Sequence, residues 1–337
     1  MKRVPKFAVL TLSAMLALSG CGMTSDPLPG TIGEDGQPAA VSTQDYVPAE
    51  VVKPKDGKKV KIGASFPLLD QFLQNVANSI KARAEAAGAE VSVTSAEEKI
   101  EIQLNQIENF IASGVDALIV LPQDTATTAQ ITQKAKAANI PLVYVNRRPS
   151  ELPKGVPYVG SDSLVAGQLE MEQLAKLSNH QGNVAILQGD PTQEAAQQRT
   201  QGCKEVAAKY NMNVVFDQTG LWMRDKGLAL AENLIQSGQQ VDVICANNDE
   251  MALGAINAFE NAGMLDKVVV GGVDATGDAL NAMAAGKLEV TVFQDAKGQG
   301  QAGVDTAIKM INGDEVPDVI NVPYQLVTPE NMSQFQQ

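Results

Sequence analysis

The feature that most constrains the fold is a regular alternation of short apolar segments with longer amphipathic ones. Residues 117–121, ALIVL, form a continuous apolar run of the kind found in strands that are buried on both faces of a parallel sheet. The preceding segment, residues 100–112, has a helical period and places apolar side chains on one face, at Ile100, Leu104, Ile107 and Ile111. Strands that alternate with helices predict an α/β fold with parallel sheets covered on both faces.

The alternation runs through the first half of the chain and then restarts. In the first half we predict strands and helices in turn at residues 60–65, 72–87, 90–94, 100–112, 117–121, 125–138 and 141–146. In the second half they fall at residues 184–188, 193–210, 213–216, 224–236, 241–246, 250–261, 268–272 and 279–285. Residues 113–120, SGVDALIV, are echoed by residues 237–244, SGQQVDVI. We therefore expect two similar doubly wound lobes, with a ligand in the cleft where the carboxyl ends of their strands face each other.

The N-terminus has the features of a secretory signal. Three cations precede an apolar run at residues 7–18, which is too short to span a bilayer comfortably. The tetrad LSGC at residues 18–21 resembles the bacterial lipobox. That resemblance implies a signal peptide at residues 1–20, lipid on Cys21, and a protein anchored to the cell membrane on its periplasmic side or outer face. The alternative is an ordinary signal peptide that happens to contain a cysteine.

Residues 21–59 have the composition of a linker. Prolines and glycines punctuate a polar stretch that has no apolar period. We predict a flexible, lipid-anchored linker, and the alternative is a small packed N-terminal extension.

The acidic balance and the scarcity of cysteine and histidine exclude several classes of function. The formal net charge of −13 argues against nucleic acid as a partner and suits an extracytoplasmic protein. With three cysteines and one histidine, His180, the chain has no basis for a disulfide framework, a His-based zinc cluster or a Cys–His catalytic pair. Cys203 and Cys245 are either two buried thiols or one bridge. We expect no metal and no cofactor.

Polar and aromatic residues collect at the predicted carboxyl ends of the strands, where an open α/β sheet binds its ligand. The candidates are carboxylates, carboxamides, one arginine and two aromatics: Asp70, Phe72, Asn146, Gln193, Arg199, Trp222, Asn248, Asp274 and Gln294. Planar polar groups suit a sugar, since each hydroxyl both donates and accepts, and Phe72 and Trp222 can sandwich the apolar face of its ring. As alternatives, Asp70 can be the N-cap of the first helix, and Asp249 is expected to cap its helix rather than bind ligand.

Several motifs resemble those of the pentose/hexose solute-binding proteins of ABC importers. They are ANNDEMALG at residues 246–254, GVD at residues 272–274, and GSD at residues 160–162 with Gly167. The resemblance runs from about residue 60 to about residue 325. Residues 146–149 (NRRP), Trp222 and residues 322–324 (VPY) look more like the glucose/galactose-binding branch.

The resemblance implies a type I periplasmic-binding fold, with two lobes joined by a hinge of about three crossings near Gly160, Gln294 and Asn321. It places the N-terminal lobe at residues 60–160 and 295–321, and the C-terminal lobe at residues 161–294 and 322–337. It assigns sugar contact to the candidates above other than Gln193. Gln193 and Ala195 stand where the galactose branch has a histidine and an aspartate, and Gln294 is as in the ribose branch. The calcium loop of the galactose branch, expected near residues 178–182, lacks its carboxylates.

From this resemblance we expect a monomeric binding protein that captures a glucose- or galactose-like hexose by domain closure and delivers it to an ABC permease. One rival is another polyol on the same scaffold: a pentose, inositol or AI-2. A second rival is a sensor that feeds a chemoreceptor or a sensor kinase. A third is a glycosidase built on Asp70 and Asp274, which the surrounding hydroxyl-pairing groups argue against.

Overall fold

The computed structural model describes residues 42–125 and 128–336. The predicted signal peptide, Cys21 and the first part of the predicted linker lie outside these residues. Within the described part of the chain, no helix combines the length and the apolar character needed to cross a membrane.

Strands and helices alternate through the described residues. The strands are β1 (Thr43–Asp45), β2 (Lys61–Phe66), β3 (Glu90–Ser95), β4 (Ala117–Val120), β5 (Leu142–Val145), β6 (Tyr158–Gly160), β7 (Asn183–Gln188), β8 (Asn213–Thr219), β9 (Val243–Ala246), β10 (Val269–Asp274), β11 (Val290–Phe293), β12 (Val319–Asn321) and β13 (Gln325–Val327). The helices are α1 (Gln71–Ala87), α2 (Ile100–Ala112), α3 (Thr128–Ala137), α4 (Ser163–Leu177), α5 (Glu194–Lys209), α6 (Arg224–Gln236), α7 (Asp249–Asn261), α8 (Gly277–Ala284) and α9 (Ala296–Ile311).

The strands form two sheets, one in each lobe. The N-terminal sheet has the order β1-β12-β6-β5-β4-β2-β3, and its neighbouring strands are parallel. The C-terminal sheet has the order β13-β11-β10-β9-β7-β8, in which only the edge strand β13 is antiparallel to its neighbour. The predicted α/β class with two parallel-sheet lobes is confirmed.

Each sheet is covered by apolar residues on both faces. The four residues of β4 are fully buried, as its continuous apolar run predicts. One face packs against α1 and α9 through residues such as Val76, Ile80 and Val304, and the other against α2 and α3 through Ile107 and Ile131. Burying an aliphatic side chain of this kind contributes about 1.5–3 kcal/mol, so these layers hold the strand ends in fixed positions.

Residues 42–59 pack on the N-terminal lobe, so the prediction that the linker extends to residue 59 is wrong for this part, and the alternative of a packed extension holds. Strand β1 pairs in parallel with β12, and Asp45 accepts a hydrogen bond from the Asn321 Nδ2 at 2.7 Å. Arg83 donates from Nη2 to the carbonyl oxygens of Ala49 and Glu50, at 3.2 and 3.1 Å, while it forms a buried ion pair with Asp305. We call residues 42–59 the strap.

Within residues 42–125 and 128–336, the chain passes between the two sheets three times. The connections are residues 161–162 between β6 and α4, residues 294–295 between β11 and α9, and residues 322–324 between β12 and β13. These connections include or adjoin Gly160, Gln294 and Asn321, where the hinge crossings were expected from the sequence. Helix α9 returns to pack on the N-terminal sheet, and residues at the carboxyl ends of strands from both sheets line one cleft.

The sulfurs of Cys203 and Cys245 form a disulfide, the second of the two alternatives left open by the sequence. The bridge joins α5 to β9, the two elements that carry Arg199 and lead to Asn248. Glu170 of α4 lies beside the two sulfurs, fully buried.

Candidate ligand-binding site

A cavity lies in the cleft between the lobes, at the carboxyl ends of the strands. Its lining includes all nine candidates chosen from the sequence: Asp70, Phe72, Asn146, Gln193, Arg199, Trp222, Asn248, Asp274 and Gln294. The lining residues that sequence reasoning did not select are Leu73, Arg147, Ser161, Ser163, Ala195 and Tyr324. The structure therefore brings the candidates together, and their contact with a ligand stays a prediction.

Asp70 combines the two roles that the sequence left as alternatives. Its Oδ1 accepts a hydrogen bond from the Leu73 N–H at 2.7 Å and so caps α1. The carboxylate also lines the cavity, beside Phe72. Burial raises the pKa of Asp70, while the cap hydrogen bond and the nearby Arg147 charge oppose the rise. One carboxylate thus orders the helix start and presents acceptor capacity to the cleft.

Asn146 and Arg147 follow β5 directly. Asn146 has a φ of 63°, a left-handed conformation that asparagine tolerates better than most residues, and its Nδ2 donates to Gln299 Oε1 at 3.1 Å. Arg147 is buried, and its guanidinium donates from Nη1 to the carbonyl oxygens of Pro122 and Gln123 in long hydrogen bonds, both at 3.4 Å. Burial lowers the pKa of Arg147 to about 10, against the opposing effect of Asp70. Its place at a strand end was the signal that could have selected it.

Arg199 is the central cation of the C-terminal lobe. Its Nη1 donates to the Asn247 carbonyl at 2.6 Å, and its Nη2 donates to Gln294 Oε1 and the Tyr324 hydroxyl, both at 2.8 Å. Burial disfavours its charge, but Tyr324 and Asp274 outweigh burial and raise the pKa of Arg199. Gly167 makes this position possible, because a Cβ at that residue would lie 2.0 Å from the Arg199 carbonyl oxygen where α4 and α5 cross.

Asp274 ends β10 and presents its carboxylate to the cavity. Among the described residues, none donates a hydrogen bond to this carboxylate, and the nearest cationic group is Arg199, at 3.9 Å from Nη1 to Oδ1. Burial raises the pKa of Asp274 well above its usual range, against the effect of Arg199. A buried acceptor without a protein donor needs a partner from a ligand or water.

Asn248, and not Asp249, caps α7, so the sequence-based prediction for Asp249 is wrong. Asn248 Oδ1 accepts from the Met251 N–H at 3.1 Å. Asp249 is the first residue of the helix and accepts instead from the Thr276 N–H, in the loop after β10, at 2.8 Å and from the Thr291 hydroxyl of β11 at 2.7 Å. Asn248 therefore orders the helix start and lines the cavity, while Asp249 lies behind it.

Trp222 is held rigidly where the chain leaves β8. Its indole Nε1 donates to Gln193 Oε1 at 3.1 Å, and its carbonyl oxygen accepts from Asn248 Nδ2 at 3.1 Å. The indole lies against Gly189, where a Cβ would come within 2.2 Å of its ring carbons. Phe72 reaches the same cavity from the opposite lobe. An indole ring that is held by the hydrogen bond to Gln193 and by its contact with Gly189 is a suitable platform for the apolar face of a cyclic ligand.

Residues 62–315 match the model of the family described as periplasmic binding protein domain. The chain belongs to this family. A Rhizobium meliloti protein named as rhizopine-binding is 41% identical over 284 residues, 82% of this chain and 92% of that protein. The crystal structure of an ABC transporter solute-binding protein from Bacillus halodurans with bound myo-inositol is 42% identical and covers 84% of this chain and 99% of that chain, with a TM-score of 0.80. A solute-binding protein from Actinobacillus succinogenes with bound D-allose is 31% identical and covers 82% of this chain and 100% of that chain, with a TM-score of 0.78.

These likenesses establish the type I periplasmic binding fold and a sugar-binding protein of ABC transporters. Members of this family bind solutes and do not transform them, and this chain is a binding protein rather than an enzyme.

Proposed function

We propose that this periplasmic binding protein captures a cyclic polyol of the myo-inositol type in the cleft between its lobes. The observation that carries the proposal is the arrangement of acceptors around the cavity, since Asp70 and Asp274 line it from opposite lobes and no described residue donates a hydrogen bond to the Asp274 carboxyl. myo-Inositol has a hydroxyl on every ring carbon, and each hydroxyl donates as well as accepts. A pyranose has a ring oxygen that only accepts, so it offers one donor fewer to the two carboxylates.

The relatives also favour myo-inositol over a hexose as the ligand. The Bacillus halodurans relative has bound myo-inositol, and it is more similar to this chain than the relative with D-allose. We therefore rank myo-inositol above the glucose- or galactose-like hexose expected from the sequence.

Capture works by closure of the cleft. In an open form, the N-terminal lobe presents Asp70 and Asn146 to water, and the C-terminal lobe presents Arg199 and its neighbours. A polyol that satisfies both sets binds the closed form better than the open form, and so shifts the equilibrium toward closure. Trp222 and Phe72 then cover the apolar faces of the ring.

A thermal-shift panel tests the choice of ligand. We expect myo-inositol to raise the melting temperature more than D-ribose, D-allose, D-glucose or D-galactose at equal concentration. At a concentration 100 times the Kd, the stabilisation is about 2.7 kcal/mol. A larger shift with D-glucose or D-galactose would contradict the ranking.

We further propose that lipid on Cys21 tethers the protein to the membrane and that the closed form delivers its ligand to an ABC permease. Cys21 is followed by about twenty residues before the strap begins at Ser42, a span of at most about 70 Å when extended. A Cys21→Ser variant should move from the membrane fraction to the soluble fraction, and retention in the membrane would contradict the anchor. Loss of polyol uptake in a strain without this protein supports an importer, whereas unchanged uptake favours the sensor alternative.

A further inference from the structure

Among the residues that the structure describes, two hydrogen bonds join the lobes outside the cavity and its hinge. At one end of the cleft, the Gln71 Oε1 of α1 accepts from the Asp278 N–H at the start of α8, at 3.3 Å. At another, the Thr125 hydroxyl donates to the Thr192 carbonyl oxygen at 2.9 Å. Gln71 and Thr125 belong to the N-terminal lobe, and Asp278 and Thr192 to the C-terminal lobe. None of the four lines the ligand cavity.

The C-terminal partner of Gln71 is held by its own lobe. Arg224 Nη2 donates to Asp278 Oδ2 and to Glu250 Oε1, both at 2.7 Å, and Arg224 Nε donates to Glu250 Oε2 at 2.9 Å. The pKa of Asp278 is lowered, first by the hydrogen bond from Arg224 and also by one from Gln71. Asp278 therefore keeps its place when the cleft opens, and it offers Gln71 a backbone donor together with a carboxylate acceptor.

Thr125 and Thr192 also form hydrogen bonds within their own lobes. Thr125 is 2% exposed and sits in the loop after β4, where its carbonyl oxygen accepts from the Thr128 hydroxyl at 2.8 Å. On the other lobe, the backbone N–H of Thr192 donates to Asp190 Oδ1 at 2.9 Å. Thr125 and Thr192 are thus each held by contacts within their own lobe, and the bond between them forms only when the lobes meet.

We propose that Gln71 and Thr125 are affinity-determining residues, which stabilise the closed cleft without touching the ligand. Bonds that exist only in the closed form raise its population, and the apparent Kd of a ligand for that form falls in proportion. They also slow reopening, so their loss speeds ligand release. The proposal rests on the proposed function only for the identity of the ligand. The loss of one such bond corresponds to a change of about two- to tenfold.

The test compares Gln71→Ala and Thr125→Val with matched controls. Gln74→Ala lies on the same helix and removes only the hydrogen bond from Gln74 Nε2 to Asn78. Thr94→Val removes the hydroxyl bond to Gln106 within the N-terminal lobe. The release of myo-inositol is followed by stopped-flow fluorescence of Trp222, the only tryptophan. The lobe separation without ligand is measured between spin labels on Glu101→Cys of α2 and Glu232→Cys of α6, both exposed positions.

We expect the ligand-free wild type and controls to show a closed population. In Gln71→Ala and Thr125→Val this population falls, and ligand release is about two- to tenfold faster. An open cleft in the ligand-free wild type, or distances and release rates unchanged in both variants, would overturn the proposal. If wild type does not respond to myo-inositol, the proposed ligand fails, while the label distances still decide the role of Gln71 and Thr125.

Discussion

At the scale of single residues, several side chains in this site do two things at once. Asp70 and Asn248 each use one side-chain oxygen to cap a helix and still line the cavity. The sequence offered capping and ligand contact as alternatives for Asp70, because the preference for an N-cap and the preference for a sugar contact select the same residue types. Both roles are available because the side-chain atoms that do not cap the helix face the cavity, and their position depends on how the helix is packed.

The fit of Trp222 against Gly189 gives a prediction about ligand affinity. In Gly189→Ala, the new methyl group would occupy the place of the indole and displace it from the cavity. We expect the affinity for myo-inositol to fall about tenfold or more, close to the loss in Trp222→Ala, as measured by calorimetric titration. Gly238→Ala, at a helix end far from the cavity, controls for effects on stability. Full affinity in Gly189→Ala and Trp222→Ala would contradict the platform.

The buried carboxyl of Asp249 gives a prediction about pH. Burial raises its pKa to about 7, against the hydrogen bonds from Thr276 and Thr291. Above its ordinary pKa, the unfolded chain releases this proton while the folded chain keeps it, so stability falls as pH rises toward about 7. Between about pH 5 and about pH 7.5, the free energy of unfolding should decrease by about 2–3 kcal/mol from this group.

Chemical unfolding at the two pH values checks this prediction. Asp249→Asn removes the contribution of this residue and should flatten the dependence. The pKa values of Glu170 and Asp274 are also raised by burial, so in Asp249→Asn these two residues still cause part of the decrease in unfolding free energy with rising pH. An equal decrease in wild type and Asp249→Asn would show that Asp249 is not the titrating group.

At the scale of elements, most of the helices and buried strands followed from the sequence, whereas helices α4 and α9 and the strap did not. Strand β4 is recognisable because a short, continuous apolar run between a helix and a turn is typical of a strand that is buried on both faces. The strap has no apolar period, because the three residues of β1 are exposed and are held by backbone pairing with β12. Its other contacts, such as the Arg83 bonds to two carbonyl oxygens, depend on a distant residue and leave no local pattern.

The strap gives a prediction about stability. A soluble chain that begins at Lys59 lacks β1 and leaves the guanidinium of Arg83 without the Ala49 and Glu50 carbonyl oxygens. Compared with a chain that begins at Ser42, we expect it to unfold with a free energy lower by about 2–4 kcal/mol, because buried donors lose their partners. Equal unfolding free energies in urea would mean that the strap adds nothing to the lobe.

At the scale of the whole molecule, the site could be predicted because parallel strands deliver their carboxyl ends to one edge. Asn146, Asn248 and Asp274 come from separate strands, yet the topology brings them to a single cavity. Arg147 carries the same strand-end signal and could have been selected, whereas Tyr324 reaches the cavity beside Arg199, whose hydrogen bond to the Tyr324 hydroxyl exists only in the packed fold. The choice among polyols was beyond the sequence, because the same amides and carboxylates bind any set of hydroxyls, and only their positions distinguish one ring from another.

The most direct test of the central claim is a calorimetric titration of the purified protein with myo-inositol, beside D-ribose, D-allose, D-glucose and D-galactose. We predict one myo-inositol bound per chain, with a Kd lower than that of any of the four sugars. Asp274→Ala removes the cavity-lining carboxyl that has no hydrogen-bond donor among the described residues, and it should lower the affinity for myo-inositol by about tenfold, the loss of a buried hydrogen bond. No binding of myo-inositol, together with binding of D-glucose or D-galactose, would contradict the account.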